Sequence, residues 1–199
     1  MWAAIRPWLF PVWCAGCGAS GSGLCPACST TAHPAAIVLD DLAIDAAGDY
    51  EGALREAILG LKRGERAYLD PLAALVAPLV APGTILVPAP TSRRRAAERG
   101  FDQARELAQR VARLRSGTVT DVLLKRGGAQ HGRGRTERLT AHGRFALRPG
   151  VALPPRVLLL DDVLTTGATL HDAAATLAAA GCRVDGAVVV ARTPAVRET

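Results

Sequence analysis

The sequence predicts an α/β fold built on a largely parallel sheet, and three observations carry that prediction. First, residues 157–160 are four consecutive apolar side chains, the pattern of a strand buried on both faces. They lead through Asp161 and Asp162 into a small turn and then an alanine-rich stretch, 168–180, stopped by Gly181, which reads as strand, turn and helix in succession. Second, two further apolar runs, 84–90 and 184–191, lie among segments with helical spacing of apolar residues, the alternation of an α/β protein. Third, the hydrophobic share is 49% and the aromatic share only 4%, so the core is one of alanine and aliphatic residues, and disorder is excluded. A chain of 199 residues is long enough for one full core and a small appendage.

The amino-terminal residues 1–13 are apolar but interrupted by Arg6, Pro7 and Pro11, with no small-residue cleavage site after a continuous apolar core. They do not read as a signal peptide, nor does any stretch approach the length of a membrane span, so a cytoplasmic location is expected. Cys14, Cys17, Cys25 and Cys28 then form two C-x2-C pairs separated by seven residues. Each pair can wrap one metal, and four thiolates on tetrahedral Zn2+ is the economical result, a closed shell with no position left for catalysis. Disulfides would require an oxidising compartment, and an iron–sulfur cluster is chemically possible with the same ligands. The expected organisation is a four-cysteine zinc-binding module over residues 1–32 and an α/β domain over 33–199. The fifth cysteine, Cys182, stands before an apolar strand and reads as a small core residue.

Asp49-Tyr50-Glu51 opens a helix whose apolar positions Ala53, Leu54, Ala57, Ile58 and Leu61 follow three/four spacing, ended by Lys62-Arg63-Gly64. A second helix is expected over 68–79, with Pro71 in its first turn. Both helices serve as cover for the sheet, or else Tyr50, Arg55 and Lys62-Arg63 form part of a hood over a ligand. Residues 84–90 read as a strand ended by prolines, followed by the basic loop 91–95. An amphipathic helix runs from Gln103 to about Arg113, and residues 119–124 read as a strand. Residues 125–143 hold five glycines and several arginines, the composition of a lid or a disordered segment.

Charge is unevenly distributed. Between Arg93 and Arg148 there are fifteen Lys/Arg against five Asp/Glu, which leaves nine against thirteen elsewhere. An anionic ligand is the natural counterpart of that middle segment. Only Phe101 and Phe145 are aromatic within it, a poor platform for stacking nucleic-acid bases. The sharper chemical signal lies at Asp161 and Asp162. Carboxylates at a strand's carboxyl end accept hydrogen bonds from vicinal sugar hydroxyls or share a Mg2+. The hydroxyls and backbone N–H groups of Thr165, Thr166, Gly167, Ala168 and Thr169 cradle a phosphate at a helix start. Together they describe a phosphorylated sugar held at both ends.

The run Leu158-Leu159-Leu160-Asp161-Asp162-Val163-Leu164-Thr165-Thr166-Gly167-Ala168-Thr169 resembles the phosphoribosyl-pyrophosphate (PRPP) motif of type I phosphoribosyltransferases. The resemblance implies that fold. It also implies that Asp161 and Asp162 bind the ribose 2′- and 3′-hydroxyls and that residues 165–169 bind the 5′-phosphate. Ala89, Pro90, Thr91, Ser92 and Arg93 occupy the place of the pyrophosphate loop, and Arg126 and Arg138 are candidate pyrophosphate contacts from a closing loop. A wider pattern adds the four-cysteine segment, the helix from Tyr50 to Lys62, Val87-Pro88-Ala89-Pro90 and Arg99-Gly100-Phe101-Asp102-Gln103. It resembles the ComF family of competence-associated, phosphoribosyltransferase-like proteins over nearly the whole chain. Asp102 stands where that family usually has Asn, and Gly132-Arg133-Gly134 replaces more apolar residues. Two activities are implied: Mg2+-dependent transfer of ribose 5-phosphate from PRPP with release of pyrophosphate, or non-catalytic PRPP or nucleotide binding in DNA uptake. The second would have competence proteins or single-stranded DNA as partners. Purine-salvage relatives carry an aspartate where Thr165 stands, which argues against a purine acceptor.

Overall fold

The computed structural model describes residues 12–91, 93–126 and 143–194. After a single turn of helix, α1 (Pro26–Ser29), the chain forms a hairpin of β1 (Ala35–Leu39) and β2 (Leu42–Ala46). Helix α2 (Gly52–Lys62), a 3-10 turn (Arg66–Tyr68) and α3 (Leu69–Val76) lead to β3 (Ile85–Pro88). Then come α4 (Arg93–Arg99), α5 (Gln103–Leu114) and the short strands β4 (Thr118–Val119), β5 (Leu123–Lys125) and β6 (Phe145–Leu147). The chain closes with β7 (Arg156–Leu164), α6 (Ala168–Ala178) and β8 (Arg183–Arg192). The main sheet has the order β1-β2-β8-β7-β3-β4, while β5 and β6 form a separate antiparallel pair. Within the main sheet β1 runs antiparallel to β2 and every other pairing is parallel. This is the α/β architecture that the apolar runs predict.

The uninterrupted apolar runs are explained by what lies on the two faces. Leu86, Leu160, Val188 and Val190 pack under α2, α3 and α5, against Leu54, Ile58, Leu72 and Leu107. Their immediate neighbours Val87, Leu159 and Val189 point the other way, into Leu170, Ala173 and Leu177 of α6 and Ile37 and Ile44 of the hairpin. Successive strand residues face opposite sides, so a strand covered on both must be apolar at every position. Cys182 is buried in the second of these clusters, as a core residue should be.

Four features differ from the sequence reading. Strand β7 does not stop at Leu160 but continues through the acidic pair, because β8 supplies partners beyond it: Asp161 faces Val189 and Val163 faces Ala191. Residues 119–124 are not one strand. Val119 ends β4 beside β3, and the chain then leaves the sheet to begin β5 at Leu123. The loop after β3 gives way at Arg93 to α4. The β1–β2 hairpin was not anticipated. It turns at Asp40, whose φ of 53° is one that aspartate tolerates without glycine's freedom.

Between Val157 and Leu159 the register of β7 and β8 shifts, so that Asp185 and Gly186 oppose Leu158. Gly186 takes φ 145° there, and a Cβ on it would lie 2.7 Å from the Ala43 carbonyl oxygen. The obstacle is backbone and the conformation is one that L-residues avoid, so Gly186→Ala is expected to destabilise by about 1–3 kcal/mol. A thermal melt would show this as a midpoint lowered by about 2–4 °C for each kcal/mol.

Candidate ligand-binding site

A cavity of about 390 Å³ opens where the loop after β3 meets the end of β7. Both strands are central and parallel, so their carboxyl ends share one rim, where open α/β sheets bind ligands. The Ala89 N–H donates to the Leu160 carbonyl at 2.8 Å, which pins the loop against the strand just before the acidic pair. Ala89, Pro90 and Thr91 form one wall and Asp161, Asp162 and Val163 another, with Thr169 from the start of α6. The remaining lining comes from Lys62 of α2, from Arg99, Gln103 and Ala104, and from Lys125 at the end of β5.

The charges in this cavity are arranged in opposition. Lys62 Nζ lies 3.3 Å from Asp162 Oδ2 and 5.8 Å from the centre of the Tyr50 ring, with the Arg55 guanidinium 6.0 Å from the same ring. Asp161 Oδ1 accepts the N–H of Asp162 at 2.8 Å. Burial first, and the neighbouring charge of Asp162 second, push the Asp161 carboxyl well above the usual carboxylate range, against the pull of that N–H and of Lys62. Two carboxylates and three cations therefore share one cavity.

The turn between β7 and α6 leaves Thr165 and Thr166 exposed, with the Ala168 N–H directed at Thr166 Oγ1 at 3.4 Å. Gly167 has φ 74° and caps α6. Its conformation requires glycine, and Leu39 Cδ1 of the hairpin packs against the turn, 2.6 Å from where a Cβ would stand. His171, one turn into α6, donates its N–H to the Gly167 carbonyl and places Nε2 3.5 Å from Asp40 Oδ2.

The four amino-terminal cysteines converge. Their sulfurs all lie within 4.8 Å of one another, and Cys17 Sγ is 3.7 Å from Cys25 Sγ. A tetrahedral zinc with Zn–S of about 2.3 Å separates sulfurs by about 3.8 Å, so the cluster is compatible with a structural zinc. The Cys25 N–H points at Cys14 Sγ at 3.3 Å. Burial opposes ionisation of Cys14, yet that N–H with those of Cys17 and Gly16 lowers its thiol to about 6. Cys28, hydrogen-bonded to Cys25 and Cys14, is pushed up to about 12. The cluster is docked on the rest of the chain: Cβ atoms on Gly16 and Gly23 would meet Ala53 of α2 and the Ala67 carbonyl at 2.7 and 2.8 Å.

Of the residues expected to act, Asp161, Asp162, Thr169, Ala89, Pro90 and Thr91 line the cavity together, and Thr165, Thr166, Gly167 and Ala168 form the adjoining turn. Arg93 begins α4. Arg126 is half-buried just past β5, its N–H bonded to the Arg144 carbonyl and its Nε enclosed without a hydrogen-bond partner among the described residues. Ser92 and Arg138 lie outside the described residues. Lys62, open between cover and hood in the sequence, is in the cavity, whereas Arg63 turns to Glu65 at 2.9 Å. Arg99, Gln103 and Lys125 were not singled out as ligand contacts. Arg99 and Gln103 bound the pentapeptide that carries the family resemblance, but all three reach the cavity only through the packing of α4, α5 and the β5–β6 pair. No helix among the described residues is long and apolar enough to cross a membrane.

No family model matches the chain. Among curated proteins it is similar to the competence protein ComFC of Bacillus subtilis, 38% identical over 90 residues that make up 45% of this chain and 36% of that protein. It is also similar to ComFC of Streptococcus pneumoniae, 36% identical over 95 residues, 47% of this chain and 41% of that protein. The matched region thus spans well under half the length of either relative. Among solved structures, one described as the allosteric regulatory enzyme of purine biosynthesis overlaps at a TM-score of 0.40 and 19% identity, over 59% of this chain and 24% of that one. The resemblance to the ComF family read from the cysteine pairs and the acidic motif is therefore met by two curated relatives that carry the ComFC name.

Proposed function

We propose that the chain binds PRPP, or a closely related sugar pyrophosphate, in the cavity at the ends of β3 and β7 and acts as a phosphoribosyltransferase-like protein. The observation that carries this reading is the position of Asp161 and Asp162 on one wall of a cavity that also receives Thr169 and the loop 89–91. In it the two carboxylates accept hydrogen bonds from the ribose hydroxyls, and the turn from Thr165 to Thr169 presents hydroxyl and N–H donors to the 5′-phosphate. Bound Mg2+, held by the pyrophosphate and the Asp161–Asp162 oxygens, would supply charge neutralisation on the leaving group. Lys62, Arg99 and Lys125 line the same space and place fixed positive charge where the leaving group's negative charge develops. In the transfer, the bond from ribose C1 to the pyrophosphate oxygen breaks, its electron pair leaving with pyrophosphate, while the acceptor forms the new bond to C1.

The four-cysteine cluster, in this reading, holds one structural Zn2+ and forms a module over residues 1–32 beside the 33–199 domain. Its sulfur spacing supports that. Pyrophosphate release from PRPP and Mg2+, measured across a panel of bases and amines, tests the enzyme reading, and turnover with one acceptor is the expected result. A second reading, favoured by the name of the two relatives, is a non-catalytic accessory role in competence. PRPP binding without turnover on any acceptor would select it. In that role the basic middle segment would meet single-stranded DNA or a competence protein, and affinity for DNA should fall steeply with salt.

A further inference from the structure

Helix α2 reaches both the four-cysteine cluster and the ligand cavity. Its first turn lies under the cluster: a Cβ on Gly16 would meet Ala53 Cβ and Cys28 Sγ, each at 2.7 Å. Its last turn delivers Lys62 to the cavity, with Nζ 3.3 Å from Asp162 Oδ2 and 5.8 Å from the centre of the Tyr50 ring.

That last turn is held by a single ring. Gly60 is buried within α2, and a Cβ there would strike the ring of Tyr68. The same ring stands 2.9 Å from where a Cβ on Gly23 would lie, with the Ala67 carbonyl oxygen at 2.8 Å. Gly23 belongs to the loop between the two cysteine pairs, and its carbonyl accepts the Ala15 N–H at 2.8 Å. Tyr68 is buried and so fills the gap between the cysteine loop and the helical turn that ends in Lys62. A close-packed contact of this kind transmits a displacement instead of absorbing it. The cysteine loop has two discrete arrangements available to it. Metal closes it, and without metal the spacer 18–24, with three glycines and two serines, has little to fix its shape.

We infer that Tyr68 is a positioning residue that couples metal loading of the cysteine cluster to ligand binding in the cavity. With zinc bound, its ring is clamped between Gly23 and Gly60 and sets Lys62; with zinc removed, one wall of the clamp is lost and Lys62 is released. This rests on the proposed binding of PRPP in the cavity and adds that zinc and PRPP bind with positive cooperativity. By linkage, each raises the other's affinity by the same factor.

The test uses the full chain, loaded with zinc or stripped by dialysis against a zinc-selective chelator, and calorimetry with PRPP and Mg2+. PRPP affinity is expected to be about fivefold to fiftyfold lower without zinc. Zinc affinity, read by competition with a chromogenic chelator, should rise by the same factor when PRPP is saturating. Tyr68→Phe keeps the ring and should keep that factor to within about twofold. Tyr68→Ala removes the wedge: the loaded variant should bind PRPP as weakly as the stripped native chain, and the coupling should vanish. Lys62→Met, a change at a half-buried side chain, should bind PRPP more weakly but equally with and without zinc. If zinc acted by keeping the whole chain folded, the coupling would persist or grow in Tyr68→Ala, and that result would overturn the inference. Equal PRPP affinity in the loaded and stripped native chains, full coupling in Lys62→Met, or a chain that takes up no zinc would overturn it too, and each leaves PRPP binding standing. Failure of the loaded native chain to bind PRPP would overturn the proposed function and this inference with it.

Discussion

Replacing Asp161 and Asp162 together by asparagine is expected to lower PRPP affinity by more than about a hundredfold, since two charge-assisted contacts of about 1.5–3 kcal/mol each are lost. Calorimetry with PRPP and Mg2+ checks it, and binding undiminished in the double variant would refute the role given to the pair. The single change Asp161→Asn should also have the opposite effect on the free protein. Asn keeps an oxygen for the Asp162 N–H, now 2.8 Å from Asp161 Oδ1, while removing a charge that burial and Asp162 both oppose. A gain of about 1 kcal/mol, or about 2–4 °C in the melting midpoint, is expected.

The pH dependence follows from the same carboxyl. Asp161 in the folded chain keeps its proton at a pH where the unfolded chain, at the ordinary value of 3.8, has released it. Its contribution to stability therefore falls as pH rises from that ordinary value to the raised one, and is constant above it. Binding of Mg2+ or PRPP, which needs the ionised form, should strengthen across the same window. Asp161→Asn should abolish that part of the pH dependence of stability, measurable by thermal melts over a series of buffers.

Removal of zinc is the second change with a large expected effect. Metal binding to such clusters contributes about 10–16 kcal/mol in isolated peptides; here part of the site is supported by α2, against which Gly16 packs at Ala53. A strong chelator, or Cys25→Ser with Cys28→Ser, should lower the melting midpoint by about 10 °C and open residues 12–32 to protease. Metal analysis should give one zinc per native chain and none in the variant. Loading should release protons and weaken as pH falls, because thiols such as Cys28, held at about 12 without a metal, must ionise to bind. A variant that melts with the native protein would show that the cysteines hold nothing that matters to the fold.

What the sequence made legible was local. Residues 157–169 announce strand, acidic pair, turn and helix because each signal sits beside the next. The helices α2 and α5 follow from the spacing of Leu54, Ile58 and Leu61 and of Leu107 and Val111, all buried. The β1–β2 hairpin escaped notice because its strands are five residues each and its turn, at Asp40 and Asp41, lacks glycine. The basic loop after β3 hid α4, since a run of arginines with two alanines serves a helix as readily as a loop. Within the cavity, Asp161 and Asp162 could be named from their neighbours, but Gln103 and Lys125 could not. Their membership depends on tertiary placement, and the signal for Gln103 is the pairing of its carbonyl with Arg99 four residues earlier.

The contact between Leu39 and Gly167 has a bearing on engineering. The loop that would seat the phosphate is buttressed by a leucine from more than a hundred positions upstream, so the two have to be transplanted as a unit. A chimera that imports a bulkier loop onto this scaffold, or trims the first hairpin to shorten the chain, should lose the loop's shape even with every loop residue retained. Trimming Leu39 to alanine first would make room for such a graft.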